Sequence, residues 1–146
     1  MVNGPLVPGS PGYSPKANAE EEFDPDKARD ILDSSGWKEE SSSIRAKSIG
    51  GNKVKLELTL VVPDAQYLIN AAKMIRYDFE AIGARLNLDI LDIETINRDI
   101  IPTRNYQMII FGNITGRQPD FFSFWHSSQR FYPGLNLALY QNKSAD

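Results

Sequence analysis

Three apolar segments separated by two helical stretches most constrain what this chain can fold into. Apolar and polar residues alternate over 54–62 and again over 86–90, which predicts two strands with one better-buried face each. Between them, the apolar residues of 63–82 fall on one stripe of a helix, and 94–103 predicts a shorter helix. The continuous apolar run 108–111 is typical of a central strand covered on both faces. Helical crossovers of this length join parallel strands, so we expect an α/β fold: a mixed, mainly parallel sheet with flanking helices.

The N-terminal part has a different character. Residues 1–22 hold four of the nine prolines and three of the ten glycines, which predicts an extended connector and places the folded domain at 23–146. Asp24 and Pro25 then predict the start of a helix that ends before Gly36. A short hairpin should follow over 44–53.

The residue types present exclude several kinds of chemistry. Without cysteine there is no disulfide, thiol nucleophile or iron–sulfur cluster. His126 is the only histidine, so no histidine pair can bind a metal, and we expect it on the surface or at a helix end. The chain carries no G-x-S-x-G elbow and no phosphate-binding loop, so neither an enzyme nor a bound cofactor is expected. Sixteen basic and nineteen acidic residues are evenly spread, which argues against a nucleic-acid partner.

The segment after the third strand is the candidate ligand site. In open α/β sheets, ligands collect beyond the carboxyl ends of the strands, and residues 112–129 begin there. Its glycines allow close backbone approach, while its polar side chains supply hydrogen bonds. We therefore predict ligand contacts from Asn113, Ile114, Thr115, Gly116, Arg117 and Trp125. Spacing alone is equally consistent with an ordinary loop under which Phe121, Phe122 and Phe124 pack.

Several stretches resemble one family in the right order along the chain. They are GPLVPGSPGY, FDPDKARDILDSSGW, the strand–helix–strand stretch from KVKLELTL to LNLDIL, PDFFSFWHSSQ and the terminal YQNKSAD. This sequence resembles the C-terminal lobe of the oligopeptide-, dipeptide- and nickel-type (family 5) solute-binding proteins of ABC importers. The resemblance covers most of residues 3–146 and implies one lobe of a two-lobed periplasmic-binding-protein fold.

The resemblance also implies what a longer parent protein would do. Its two lobes would close on a solute by hinge motion and deliver it to an ABC permease in the membrane. The parent would be periplasmic or anchored outside the cytoplasm, and residues 1–22 would arrive from a missing upstream lobe. The N-terminal sequence has no signal peptide, so Met1 is not expected to be the parent's natural start.

Two departures from the peptide-binding pattern bear on the ligand. Peptide-binding members usually carry Gly-Trp in this loop, followed by an Asp for the peptide's free ammonium group. Here Asn113 follows Gly112, and Gly116 lies about where the Asp would be. Arg117 would suit a carboxylate. Asp120 is either a substitute for that Asp or the start of a helix.

The resemblance therefore leaves the ligand class open. A peptide or peptide-like ligand is the first hypothesis. The alternatives are an oligosaccharide, which Asn113, Thr115 and Trp125 would suit, and a stand-alone interaction or sensory module. The isolated chain should bind solute weakly, and it could self-associate through Trp125, Phe131 and Tyr132.

Overall fold

The fold is described from a computed structural model that covers residues 8–9, 13–16, 22–40, 43–112, 120–144 and 146. The chain divides into two compact units. The first consists of residues 1–23, 101–104 and 112–146, and the second of residues 24–100 and 105–111.

The described residues form short helices and six strands. In chain order these are α1 (Pro25–Ser34), β1 (Lys38–Glu39), β2 (Arg45–Ile49), β3 (Asn52–Lys55), β4 (Glu57–Pro63), α2 (Gln66–Ala81), β5 (Arg85–Leu91), α3 (Ile93–Thr95), a π-helical turn (Ile96–Ile100), α4 (Ile101–Thr103), β6 (Met108–Ile109), α5 (Phe121–Trp125) and a 3₁₀ turn (Ser127–Gln129).

Helix α1 begins and ends where its sequence predicts. The Asp24 carboxylate accepts a hydrogen bond from the Lys27 amide at 2.9 Å, and Pro25 occupies the first turn, where its missing N–H costs nothing. Gly36 has a φ of 87°, a left-handed conformation that glycine adopts without a steric penalty. The predicted helix is therefore confirmed.

Strands β1, β2 and β3 form a small antiparallel sheet in that order. The turn between β2 and β3 uses Gly50 and Gly51, both at positive φ, between the paired residues Ile49 and Asn52. This is the hairpin that the sequence predicts.

The larger feature of the second unit is a parallel sheet in the order β5–β4–β6. Strand β4 lies in the middle and pairs with β5 over seven consecutive residues, so the predicted parallel strand–helix–strand unit is confirmed. Helix α2 packs on the sheet and supplies Ala72 to a core with Leu60, Val62 and Leu86. Burying each large apolar side chain there contributes about 1.5–3 kcal/mol.

Two details of the strand prediction are wrong. The alternating stretch 54–62 is two strands, because the chain leaves one sheet at Lys55 and enters the other at Glu57. Both strands have a period of two, so alternation alone cannot reveal the change of partner. Among the described strands, the run 108–111 does not supply the middle one: β6 pairs with β4 at two residues and lies at one end of the three-stranded sheet.

The Gln107 side chain bonds a backbone amide of β4 that the short strand β6 does not reach. Its Oε1 accepts a hydrogen bond from the Thr59 amide of β4 at 2.7 Å. The Thr59 amide of the middle strand thus has an acceptor at a position that β6 does not reach.

The buried Arg45 connects the elements around it. Its Nε donates to the Ile82 carbonyl at 2.8 Å, and its Nη1 donates to the Trp37 carbonyl and to Asp33 at 2.9 and 2.8 Å. The Arg45 amide also donates to Gly83, whose φ of 80° and lack of a Cβ let the arginine stem pass. A Cβ at Gly83 would lie 2.9 Å from the Arg45 Cγ.

Among the helices of the described residues, none combines the length and apolar character needed to cross a bilayer.

Arg45→Met should destabilise the second unit by about 2–4 kcal/mol, because it leaves the Trp37 and Ile82 carbonyls without their donor. Urea unfolding followed by circular dichroism measures this change. Arg98→Met is the matched control: Arg98 makes exposed ion pairs with Asp99 and Glu94, so its loss should change stability little. Equal effects of the two substitutions would contradict the role assigned to Arg45.

Acid should weaken the link between Asp33 and Arg45. The Arg45 guanidinium donates to Asp33 and holds the pKa of that carboxyl below its usual range, with a smaller contribution from Lys38. The contribution to stability is therefore present above about pH 4 and is lost as pH falls through the lowered folded-state pKa. Asp33→Asn should reduce the loss of stability between pH 5 and pH 2.5, measured as the urea midpoint. In an Arg45→Met background the same substitution should have a much smaller effect, because Lys38 is then the cation that remains beside Asp33.

Candidate ligand-binding segment

The candidate segment starts where β6 leaves the sheet. The Ile110 amide still donates to the Val61 carbonyl at 2.9 Å, after which the chain runs through Phe111 and Gly112. Residues 113–119 lie outside the described part of the chain. The predicted contacts of Asn113, Ile114, Thr115, Gly116 and Arg117 fall there, so of the six predicted ligand residues the structure describes Trp125.

Asp120 starts helix α5. Its carboxylate accepts hydrogen bonds from the amide of Ser123, at 3.1 Å, and from the hydroxyl of the same residue. These two bonds lower the pKa of Asp120. Of the two alternatives for Asp120, the structure supports the helix start, because the carboxylate is already occupied by the helix.

Trp125, at the end of α5, presents a half-exposed aromatic surface. The side chain is 39% exposed, and its ring meets Tyr140 edge to face with centroids 6.4 Å apart. Phe121 and Phe122 of the same helix are exposed, and because residues 113–119 lie outside the described part of the chain, the alternative in which these rings pack beneath the loop stays open. A five-residue helix has too few faces to bury aromatic residues at adjacent positions.

Asn136 organises the turns behind Trp125. This fully buried side chain donates from Nδ2 to the carbonyls of Trp125, His126 and Tyr140 at 2.9–3.2 Å. Its Oδ1 accepts from the Tyr140 amide at 3.1 Å. One amide group thereby joins the C-terminal end of α5 to the segment that carries Tyr140, in place of a hydrophobic core.

Two further hydrogen-bonded pairs fix turns near Trp125: Ser127 with Asp146, and His126 with Ser128. The Asp146 carboxylate accepts from the Ser127 amide at 2.8 Å and from its hydroxyl at 2.6 Å, which lowers the pKa of Asp146. His126 is at the predicted helix end, and its Nδ1 accepts from the Ser128 amide at 3.1 Å. Histidine and carboxylate are thus bonded to different serines, and each pair fixes a turn.

Two arginines support an exposed aromatic tip, defined as Phe131 and Tyr132, which are 69% and 65% exposed. Arg104 donates to the backbone carbonyls of Arg130 and Gly134, on either side of the tip. Arg130 donates to the Ser127 carbonyl, and its guanidinium carbon lies 5.5 Å from the Phe131 ring centre.

The exposed aromatic rings and the polar side chains behind them suit recognition of a ligand by shape, stacking and hydrogen bonds. Aromatic rings are displayed on turns whose backbone is held by buried or half-buried polar side chains. Within the described residues there is no group of three or more histidine, aspartate or glutamate side chains that could hold a metal ion.

Sequence reasoning missed the supporting residues Asn136, Arg104 and Arg130. A weak signal existed for Asn136, a polar residue between Leu135 and Leu137 in a stretch without strand or helix pattern. Arg104 bonds the carbonyls of Arg130 and Gly134, which are distant in sequence, and no local pattern predicts such bonds. Arg130 bonds the carbonyl of Ser127, only three residues earlier, but nothing in the local pattern marks that bond either.

Asn136→Asp should destabilise the first unit more than Asn136→Ala, because a carboxylate would face three carbonyl oxygens. We expect a loss of about 2–4 kcal/mol for the alanine variant. The readout is the thermal transition followed by tryptophan fluorescence, to which Trp125 contributes. Asn142→Ala is the control: among the described residues, the exposed Asn142 side chain accepts one local hydrogen bond, from the Ser144 amide, so this variant should behave like the unchanged chain.

Comparisons with known proteins place the chain in a family. The profile described as bacterial extracellular solute-binding proteins, family 5, middle region, matches residues 2–132. No curated protein sequence was found to match.

Solved structures of similar proteins contain the fold of this chain. AppA of Bacillus subtilis, an oligopeptide-binding protein in complex with a nonapeptide, is 25% identical with a TM-score of 0.79, over 97% of this chain and 28% of that one. NikZ of Campylobacter jejuni, in complex with Ni(L-His), is 23% identical with a TM-score of 0.67, over 84% of this chain and 24% of that one. A mannohexaose-bound periplasmic oligopeptide-binding protein of Thermotoga maritima is 20% identical with a TM-score of 0.64, over 85% and 24%.

This chain thus spans about a quarter of the length of each of these two-lobed proteins. The chain belongs to family 5 of the bacterial extracellular solute-binding proteins.

Proposed function

We propose that this chain is part of one lobe of a solute-binding protein that captures a peptide or peptide-like ligand for an ABC importer. The observation that carries the proposal is the family match over residues 2–132. The fold similarity to the nonapeptide-bound AppA, at 25% identity, supports a peptide as the first ligand class.

In this proposal the ligand lies against the segment that begins at Gly112. Trp125 offers a flat surface for an apolar side chain, and Tyr140 and the Asn136 hydrogen bonds hold it in place. Residues 113–117 precede it in the chain and would supply hydrogen bonds to the ligand's backbone. A site whose supporting shell is rigid before binding loses less entropy when the ligand enters.

The charge of the segment predicts which end of a peptide it recognises. Arg117 is a donor for a carboxylate, while Asp120 is occupied as the cap of α5. The segment therefore suits a peptide C-terminus better than a free ammonium group. Holding an ammonium without a carboxylate partner would cost affinity.

An oligosaccharide is the second candidate. The half-exposed Trp125 could stack on a sugar ring, and Asn113 and Thr115 are suitable hydrogen-bonding partners for hydroxyl groups. The relative from Thermotoga maritima has mannohexaose bound, so the shared fold is compatible with such a ligand.

The remaining features of the proposal follow from the family. A protein of this kind acts outside the cytoplasm, binds without chemical conversion, and hands its ligand to a membrane permease. Residues 1–22 would be the connector to the rest of a longer protein, and residues 23–146 would contribute part of the C-terminal lobe. The contacts of one lobe alone would give only weak affinity.

The proposal is tested by thermal-shift measurements on a longer protein that contains this chain and the remainder of both lobes. A saturating ligand stabilises by mass action, by about 2.7 kcal/mol at one hundred times its dissociation constant. We expect a nonapeptide pool to raise the melting temperature. Peptides amidated at the C-terminus should lose more of the effect than N-acetylated ones. A shift with mannohexaose alone would favour the second candidate, and no shift with either class would contradict solute capture.

Substitutions in the same protein locate the site. Arg117→Ala should weaken binding of the free-carboxylate peptide at least tenfold, whereas the matched control Arg98→Ala should leave it unchanged. Trp125→Ala should weaken the binding of all peptides, whereas Tyr77→Ala, which removes an exposed aromatic ring on α2, should leave binding unchanged. If both arginine variants bind normally, the assignment of Arg117 is wrong even if the family function holds.

A further inference from the structure

Strand β5 has an open edge. It is at one end of the parallel sheet and pairs only with β4 among the described strands. Its seven residues keep an unbroken register without a bulge, and the strand contains neither lysine nor proline. Proteins usually protect such an edge with those devices, because an exposed, regular edge is a template for another strand.

The backbone groups available on this edge can be identified. The Arg85 amide donates to Leu56, and the Leu91 carbonyl accepts from Asp64, so the odd-numbered residues of β5 face β4. Backbone orientation alternates along a strand. The amides and carbonyls of Leu86, Leu88 and Ile90 therefore face away from the sheet. Ile90 is also 44% exposed, which is unusual for a residue on the core-facing side of a strand.

The side chains of β5 are complementary to a second copy of the same strand. In an antiparallel pair centred on Asn87, Arg85 of each copy lies opposite Asp89 of the other, and Leu86 lies opposite Leu88. The backbone groups of Leu86 and Leu88 face away from the sheet, so Leu86 of one copy and Leu88 of the other form a hydrogen-bonded pair. Arg85 and Asp89 form the non-hydrogen-bonded pair, in which side chains lie closer together.

Charge also selects this register over others. A pair centred on Arg85 would place arginine against arginine, and a pair centred on Asp89 would place aspartate against aspartate, both unfavourable. Arg85 is already 3.3 Å from Glu57, so an incoming Asp89 would extend an existing ion pair. Among the described residues, the side chain of Asp89 makes no hydrogen bond or ion pair, while its backbone pairs with β4.

We propose that two copies of this chain associate through their β5 edges. The strands run antiparallel about a twofold axis at Asn87 and form one continuous six-stranded sheet. Such an interface is isologous, since each copy contributes the same strand and closes the other's open edge. The site is separate from the candidate ligand segment, so the proposal is independent of which solute is bound.

Sedimentation velocity of the 146-residue chain over a concentration series tests this. The unchanged chain should show a monomer–dimer equilibrium that weakens with added salt. Arg85→Glu and Asp89→Arg each place like charges across the interface, so each should raise the dimer dissociation constant at least about tenfold. An equimolar mixture of the two variants should recover association, because both cross-strand pairs then carry opposite charges.

Matched controls separate the interface from general charge effects. Lys73→Glu on α2 and Asp30→Arg on α1 make the same changes in net charge at exposed positions, and they should associate like the unchanged chain. Hydrogen exchange gives a second measurement: the amides of Leu86 and Leu88, which bond across the twofold axis in this register, should become protected as protein concentration rises. A chain that stays monomeric overturns the proposal. So does a dimer that leaves these amides unprotected, or a mixture that fails to restore association.

Discussion

The second unit depends on one buried guanidinium. Arg45 lies at the start of β2, where the antiparallel hairpin meets the turn between α2 and β5, and its side chain also reaches the C-terminal half of α1. Its five N–H groups allow one side chain to satisfy carbonyls and a carboxylate from separate elements. Without Arg45 the carbonyls of Trp37 and Ile82 would lose their side-chain donor, so the helix, the hairpin and the parallel sheet are positioned together.

In the first unit, a buried amide side chain joins separate backbone segments, as the Arg45 guanidinium does in the second. Here the described turns bury little apolar surface, and Asn136 replaces a hydrophobic core by bonding four backbone groups at once. This leaves aromatic side chains such as Trp125 free to face outward on a fixed backbone. Rigid display of aromatic rings is what a solute-binding surface requires, because ordering such side chains on binding costs entropy.

Local sequence patterns were sufficient to predict the structural roles of some residues in the candidate site. The capping role of Asp120 and the helix-end position of His126 follow from residues within a few positions along the chain, and the structure has both. The outward orientation of Phe122 could not be predicted in this way, since an apolar residue is buried only if another element arrives to cover it. Ligand contacts by residues 113–117 remain a prediction from sequence.

The sequence by itself determined the order and type of the main elements: the capped first helix, the glycine hairpin, and the parallel strand–helix–strand unit. These follow from caps, turns and periodicity, which are local properties. Only the tertiary structure decided that 54–62 divides between two sheets, that β4 and not β6 lies in the middle, and that Arg45 and Asn136 hold the two units in shape. Those outcomes depend on which distant groups come together, and the local pattern of a strand or a polar residue is the same whichever partner it meets.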